Sequence, residues 1–190
     1  MKLLINFFLP LLLLAGFSSH GAELTLKNTV ILFGMVNEPN IEAVKYGLRE
    51  LRKESPTEPL YLVIHSNGGK MFAGLDLANF VSLDKNVHAI VIWAASAAAG
   101  ISQAVGGQVL ITKDGKFLFH EVRYYLQSPL ILEDDAKELL EALQKDNKKF
   151  AKVCNKRMCL TDYASKVKKD WLFGADEALR LKAADRKSVV

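Results

Sequence analysis

Three short stretches of this 190-residue chain carry the residue types of a serine-hydrolase site. The stretches are residues 65–69 (HSNGG), 94–97 (AASA) and 117–120 (FLFH), and Asp170 follows later in the chain. A serine hydroxyl becomes a strong nucleophile when a histidine removes its proton and a carboxylate orients the imidazole. The backbone amides of a Gly-Gly turn can stabilise the oxyanion that forms on the attacked carbonyl. The combination therefore indicates hydrolysis through a serine nucleophile.

Ser96 and the Gly68-Gly69 turn both follow apolar segments that are predicted to be buried strands, residues 60–65 and 87–93. Ligands bind at the carboxyl ends of the strands in an open α/β sheet, so we expect the serine and the turn to converge there. Ser96 by itself is also a typical helix N-cap. The histidine and the aspartate likewise have structural explanations when each is taken alone. The catalytic hypothesis depends on their occurring together.

The apolar pattern predicts the elements that carry these residues. Strands are expected over residues 29–34, 60–65 and 87–93. Three helices are expected between and after these strands: the first is capped by Asn40, the second covers residues 71–83, and the third runs from Ser96 to Gly106-Gly107. Unbroken apolar strands that alternate with helices are typical of a parallel sheet covered on both faces.

The pattern changes after the third helix. Residues 109–112 and 116–119 flank Asp114-Gly115, a pair that favours a β-hairpin turn. His120 would then end the second arm of that hairpin.

A long helix is expected over residues 133–153, with an apolar stripe that can pack inward or pair with another subunit, and a short helix near residues 175–182.

The formal net charge of +4 is too small to indicate nucleic-acid binding. Acidic residues begin the long helix and basic ones end it, which complements the helix dipole. We therefore interpret one basic cluster as a solvated helix face: Lys145, Lys148, Lys149 and Lys152.

The first 22 residues have the pattern of a secretory signal. Met1-Lys2 is positively charged, residues 3–17 are almost continuously apolar, and residues 18–22 are mostly small. The apolar run is shorter than the about 20 residues that span a bilayer, so a cleaved signal is favoured over a retained membrane anchor. Export to a periplasm or outside the cell follows, with residues 23–190 as a single domain.

An oxidising compartment makes Cys154 and Cys159 a candidate disulfide. Residues five apart in one straight helix exceed the ~7 Å Cα limit for a bridge, so the helix must end between them, and Asn155 provides such an end. Two free thiols are the alternative. Without a nearby histidine the pair is an incomplete metal-ligand set, and neither a metal nor another cofactor is expected.

In order and roughly in spacing, these motifs resemble those of the Clp protease proteolytic subunit (ClpP). Residues 60–69 are similar to the YLYINSPGG strand and turn of that family, and residues 94–96 to its AASMGA nucleophile segment. Residues 119–120 resemble its MIHQP segment, and residues 170–178 its RDxFxSAxEA segment. The resemblance covers residues 28–187.

The resemblance implies an α/β fold, a ClpP/crotonase-like spiral of βα units in which the long helix is a handle that stacks subunits into rings. It implies Ser96 as nucleophile, His120 as general base and then acid, and Asp170 as the residue that orients the imidazole. The backbone amides of Gly69 and Ala97 would form the oxyanion hole. A strand beside the handle would bind the backbone of the peptide by β-addition.

We therefore expect a homo-oligomeric serine endopeptidase acting on peptides or unfolded polypeptides. In the family, an axial helix and a pore loop meet an ATP-driven unfoldase. Too few residues lie between Ala22 and the first strand for those elements, and an exported protein would find no ATP. The chain is thus predicted to act without ATP and without an ATPase partner.

Other functions are open at this stage. Ile92 and Ala98 stand where the family has glycine, and bulky Trp93 is adjacent, which favours a catalytically inactive exported oligomer that serves as a binding or scaffold protein. A signal-peptide-peptidase-like enzyme would use a lysine base, yet Lys70 is the only lysine next to the motif and would leave His120 without a role. A crotonase-type acyl-CoA enzyme fits poorly with a short, exported chain.

Overall fold

The computed structural model describes residues 23–125 and 132–188. The predicted signal segment, residues 1–22, lies outside these residues. So do residues 126–131, in the stretch before the long helix where the resemblance implies a peptide-binding strand. Within the described ranges, no helix combines the length and apolar character needed to cross a bilayer. The strands are β1 (Thr29–Val36), β2 (Leu60–Gly69), β3 (Val87–Ala95), β4 (Val109–Phe119), β5 (Trp171–Gly174) and β6 (Arg186–Lys187). The helices are α1 (Glu38–Glu54), α2 (Met71–Ser82), α3 (Ala97–Ala104), α4 (Glu133–Cys154), α5 (Tyr163–Lys166) and α6 (Ala175–Arg180).

The strands form one six-stranded sheet in the order β1-β2-β3-β4-β5, with β6 paired to β4. Strands β1 to β4 are parallel, as the alternation with helices predicts, and β5 is antiparallel to β4. The α/β fold class is therefore confirmed.

The expectation that helices cover both faces of the sheet is wrong for the described residues. Buried residues of α1, α2 and α3 join one core cluster with Leu32, Ile64 and Val91, whereas the cluster on the opposite face contains no helix residue. Strand order rises steadily from β1 to β4, so right-handed crossovers place all three helices on the same side. The other face leaves apolar side chains in solvent, among them Phe33, which is 69% exposed.

Helix α1 begins before Asn40, because Asn37 is its cap. The side-chain oxygen of Asn37 accepts the Asn40 N–H at 3.0 Å. Pro39 lies in the first turn, where its missing N–H leaves no intrahelical bond unmade. The Asn40 side chain instead donates to the Met35 carbonyl at 2.8 Å.

The hairpin predicted around Gly115 is wrong, since β4 is one strand that runs parallel to β3 along its whole length. Pairing passes from Val91 with Ile111 to Trp93 with Lys116, so the segment between Ile111 and Lys116 bulges out. Gly115 closes the bulge, because a Cβ there would lie 2.7 Å from the Val91 carbonyl oxygen. A hairpin would have reversed the second arm, whereas the bulge keeps both arms against β3.

Helix α4 contacts the domain mainly through its carboxyl-terminal part. Phe150 and Cys154 are its buried residues, and both pack against Gly100 of α3. Towards the amino-terminal end, apolar side chains remain accessible, with Leu140 55% exposed. The predicted apolar stripe thus packs inward at one end and is left open at the other.

The candidate disulfide is not formed, and both cysteines are free. Cys154 is buried and hydrogen-bonded to Tyr163, and this burial raises the pKa of its thiol to about 12. Cys159 is exposed, and its thiol donates a hydrogen bond to the Lys156 carbonyl at 3.4 Å. The helix does end at Asn155, but one thiol lies in the core and the other at the surface.

Candidate active site

Ser96 occupies a strained turn between β3 and α3. Its backbone angles, φ 50° and ψ −115°, belong to a region that costs a non-glycine residue about 1–3 kcal/mol. The Ser96 N–H donates to the Leu118 carbonyl at 2.7 Å, which ties the turn to β4. A serine on a sharp strand-to-helix turn is typical of hydrolase nucleophiles.

The Ser96 side chain does not cap the helix that follows it. Ser96 is the N-cap of α3 by position, yet its hydroxyl makes no capping hydrogen bond. The residue as a whole is half-buried. Capping therefore does not explain the serine at this position.

Gly68 brings the end of β2 against the serine turn. Its φ of +80° favours glycine, and a Cβ at this position would lie 2.5 Å from the Ala95 carbonyl oxygen and 3.0 Å from the Ser96 Cβ. Its N–H donates to the Ser66 hydroxyl at 3.1 Å. A larger residue would separate the turn from Ser96.

The two predicted oxyanion-hole donors lie on either side of this junction. Gly69, with φ +148°, packs so closely on β1 that a Cβ would lie 2.4 Å from the Val36 carbonyl oxygen. Ala97 is the first residue of α3. The N–H groups of a first helical turn have no intrahelical acceptor, and the helix dipole is positive there.

His120 directly follows β4, next to the serine turn. The β3–β4 ladder pairs Ala95 with Leu118, which brings the end of β4 beside Ser96. The imidazole Nδ1 lies 2.6 Å from the Glu121 carbonyl oxygen. Because a carbonyl oxygen can only accept, Nδ1 carries a proton in this contact, and in the neutral imidazole the lone pair then lies on Nε2. This is the tautomer that a general base requires.

The β4–β5 ladder brings the segment that carries Asp170 to the end of β4. Phe119 pairs with Trp171 in antiparallel register, and His120 and Asp170 directly adjoin this last pair on the two strands. The carboxylate of Asp170, however, accepts a hydrogen bond from the guanidinium of Arg123.

Ser96, His120 and Asp170 all follow or precede strand ends at one edge of the sheet, but the hydrogen bonds of a triad are not formed. Among residues 23–125 and 132–188, none joins Ser96 to His120 or His120 to Asp170. The sequence reasoning missed the two groups that hold these side chains, the Glu121 carbonyl and Arg123. Arg123 follows His120 closely in the chain, but nothing in a linear pattern shows which carboxylate a guanidinium reaches.

The bulky residues near the serine do not bury it. Trp93 is half-buried, and its indole N–H donates to the Asn67 side-chain oxygen at 2.7 Å, which fixes the ring to the glycine turn. Ile92 is 40% exposed and Ala98 is fully buried in α3.

Lys70 has a partner of its own. Its ammonium group lies 2.8 Å from the Glu38 carboxylate at the start of α1, in an exposed ion pair. A lysine held this way is not poised to take a proton from Ser96, so the geometry disfavours a serine–lysine mechanism.

The model of the Clp protease family matches residues 18–185 of the chain. Within the described residues, no group of three or more histidine, cysteine or acidic side chains is placed to bind a metal ion.

Proposed function

The chain belongs to the Clp protease family, a family of peptidases, and from this premise we propose that it is a serine-type endopeptidase acting on peptides or unfolded polypeptides. The observation that carries the proposal is Ser96, which lies half-buried on a strained strand-to-helix turn and whose hydroxyl is not used as a cap. A catalytically inert serine at this position would be expected to bond to its own helix.

In the proposed mechanism, Nε2 of His120 accepts the proton of the Ser96 hydroxyl as the oxygen attacks the peptide carbonyl. The amides of Gly69 and Ala97 stabilise the oxyanion. His120 then protonates the leaving amine, and water hydrolyses the acyl-enzyme by the same steps. Asp170 stabilises the imidazolium that forms during each half-reaction.

A fluorophosphonate probe tests the serine mechanism directly, since it bonds covalently to an activated serine. We expect the protein to be labelled, and Ser96→Ala and His120→Ala to remove labelling. Matched controls are Ser82→Ala, whose hydroxyl bonds within α2, and His88→Ala, at the opposite end of β3 from Ser96. Failure of the folded protein to label anywhere between about pH 6 and 9 contradicts the proposal, because a histidine base operates in that range.

A second candidate is an inactive binding or scaffold protein. It is favoured by the ion pair between Arg123 and Asp170, which leaves His120 without its carboxylate partner. Absence of labelling in a folded, assembled protein would support this alternative.

We further propose that the protein forms homo-oligomers through α4. The exposed apolar side chains on the amino-terminal part of α4, including Leu140, support this proposal. We expect Leu140→Glu to reduce the assembly mass measured by light scattering, whereas Ala142→Glu, which adds the same charge on another side of α4, leaves it unchanged. Equal masses for all three proteins would contradict the role of this surface.

Export and independence from ATP complete the proposal. They rest on the charge and apolar pattern of residues 1–22. N-terminal sequencing of protein recovered from the producing cells should begin at Glu23, and an intact Met1 would refute cleavage. Hydrolysis of a fluorogenic peptide should proceed without ATP, and a strict requirement for ATP would refute independence.

A further inference from the structure

Resting on the proposed function, we infer that Arg123 is a positioning residue that holds Asp170 away from His120 and keeps the site in a resting state. Three contacts carry the inference. His120 and Asp170 adjoin the last β4–β5 pair, the Arg123 guanidinium binds the Asp170 carboxylate, and the His120 Nδ1–H donates to the Glu121 carbonyl. Completion of the triad therefore needs Asp170 to leave Arg123, the His120 Nδ1–H to leave the Glu121 carbonyl, and a hydrogen bond to form between Ser96 and His120.

The residues on either side of Arg123 are both hydrogen-bonded to α4. The Val122 N–H donates to the Asn147 side-chain oxygen at 2.6 Å, and the Tyr124 hydroxyl donates to Asp146, both on α4. Arg123 is thus presented to Asp170 by an anchored segment. A guanidinium fixed in this way competes with the imidazole for the same carboxylate oxygens.

The strength of this competition is bounded by exposure. The Arg123 and Asp170 side chains are 56% and 53% exposed, and solvent-exposed ion pairs shift an equilibrium by no more than about fivefold. Salt screens such pairs, because the Debye length falls to a few ångströms near 1 M. The Arg123–Asp170 ion pair, called the latch below, should therefore open readily when Arg123 is substituted or the ionic strength is raised.

The test compares rates of fluorophosphonate labelling at low ionic strength. We expect Arg123→Gln to react about two- to fivefold faster than the unmodified protein, and Arg123→Lys, which keeps the charge, to lie between them. Arg180→Gln, which removes another exposed ion pair, that with Glu177, should leave the rate unchanged. Added salt should accelerate labelling of the unmodified protein and have little effect on Arg123→Gln. The salt response of the unmodified protein can be measured even if a variant folds poorly.

A proton NMR measurement tests the change of partner independently of activity. An imidazole Nδ1 proton shared with a carboxylate should appear far downfield in Arg123→Gln and be lost in the double variant that adds Asp170→Asn. If the unmodified protein and Arg123→Gln label at the same salt-independent rate, the latch is refuted while the serine mechanism stands. If neither protein labels, both the latch and the proposed function fail.

Discussion

Replacing Gly68 with alanine tests whether the contact between the glycine turn and the serine turn controls reactivity. Gly34 offers a matched control, because both glycines lie on strands with almost the same positive φ, +80° and +79°. A Cβ on Gly34 would have no neighbour within 4 Å, whereas one on Gly68 would lie 2.5 Å from the Ala95 carbonyl oxygen. The difference between the two variants therefore isolates the contact.

The cost common to both variants is that of an L-residue in a left-handed conformation, about 1–2 kcal/mol. Gly68→Ala adds overpacking, which costs about 1–3 kcal/mol. Contacts of Cβ below 3.0 Å essentially do not occur, so the two turns must separate by at least 3.0 − 2.5 = 0.5 Å. Since a displacement of about 1 Å can cost 10²-fold in rate, we expect a loss of about tenfold or more.

Two measurements check this reasoning. Urea unfolding should give a free energy of unfolding lower by about 1–2 kcal/mol for Gly34→Ala and by about 2–5 kcal/mol for Gly68→Ala. The fluorophosphonate labelling rate should be unchanged for Gly34→Ala and reduced about tenfold for Gly68→Ala. If Gly68→Ala labels as fast as Gly34→Ala while remaining folded, the turn does not position Ser96 and the argument is wrong.

Three other predictions concern the thiols and the aromatic core. A thiol reagent should modify one cysteine of the native protein, Cys159, and two after denaturation, whereas no native reaction would indicate a disulfide. Because the pKa of Cys154 rises from 9.0 to about 12, the folded state retains a proton that the unfolded state loses. Between about pH 9 and pH 12, the free energy of unfolding should then fall by up to about 1.4 kcal/mol per pH unit. In Cys154→Ala the free energy of unfolding should fall less steeply over the same pH range. Phe119→Leu should lower the free energy of unfolding by about 1–3 kcal/mol in urea and slow labelling, and no effect would show that the ring cluster does not support His120. The rings that contact Phe119 are those of Phe117, Tyr163, Trp171 and Phe173.

Local patterns predicted the elements of the first half of the fold well. Continuous apolar runs between helical periodicities correspond to β1, β2 and β3, although only one face of these strands packs against helices and the other leaves side chains such as Phe33 exposed. The same reasoning failed at Gly115, where a hairpin signal lies within a strand. Turn propensity is a weak local preference, and pairing of both halves of β4 with β3 overrides it.

Features that depend on contacts between distant segments were harder to predict from the sequence. The short strand β5 gives almost no periodic signal, since four residues are too few for an alternation to be recognised. The two cysteines were close enough in sequence to suggest a bridge, but the end of α4 leaves one buried and the other exposed. Whether a side chain near the end of a helix is buried or exposed depends on what packs against the helix, and residue spacing alone does not give this information.

For the site, residue types, their order along the chain and the resemblance to the Clp protease family together singled out Ser96, His120 and Asp170 as candidates, because chemistry limits which side chains can form such a set. They were also enough to predict the strand ends at which Ser96 and the glycine turn lie. The tertiary structure alone decided that the Ser96 hydroxyl is uncapped, that His120 donates to a main-chain carbonyl, and that Arg123 holds Asp170. The reason is physical: the choice of hydrogen-bond partner depends on distances of a few ångströms between segments that are far apart in sequence.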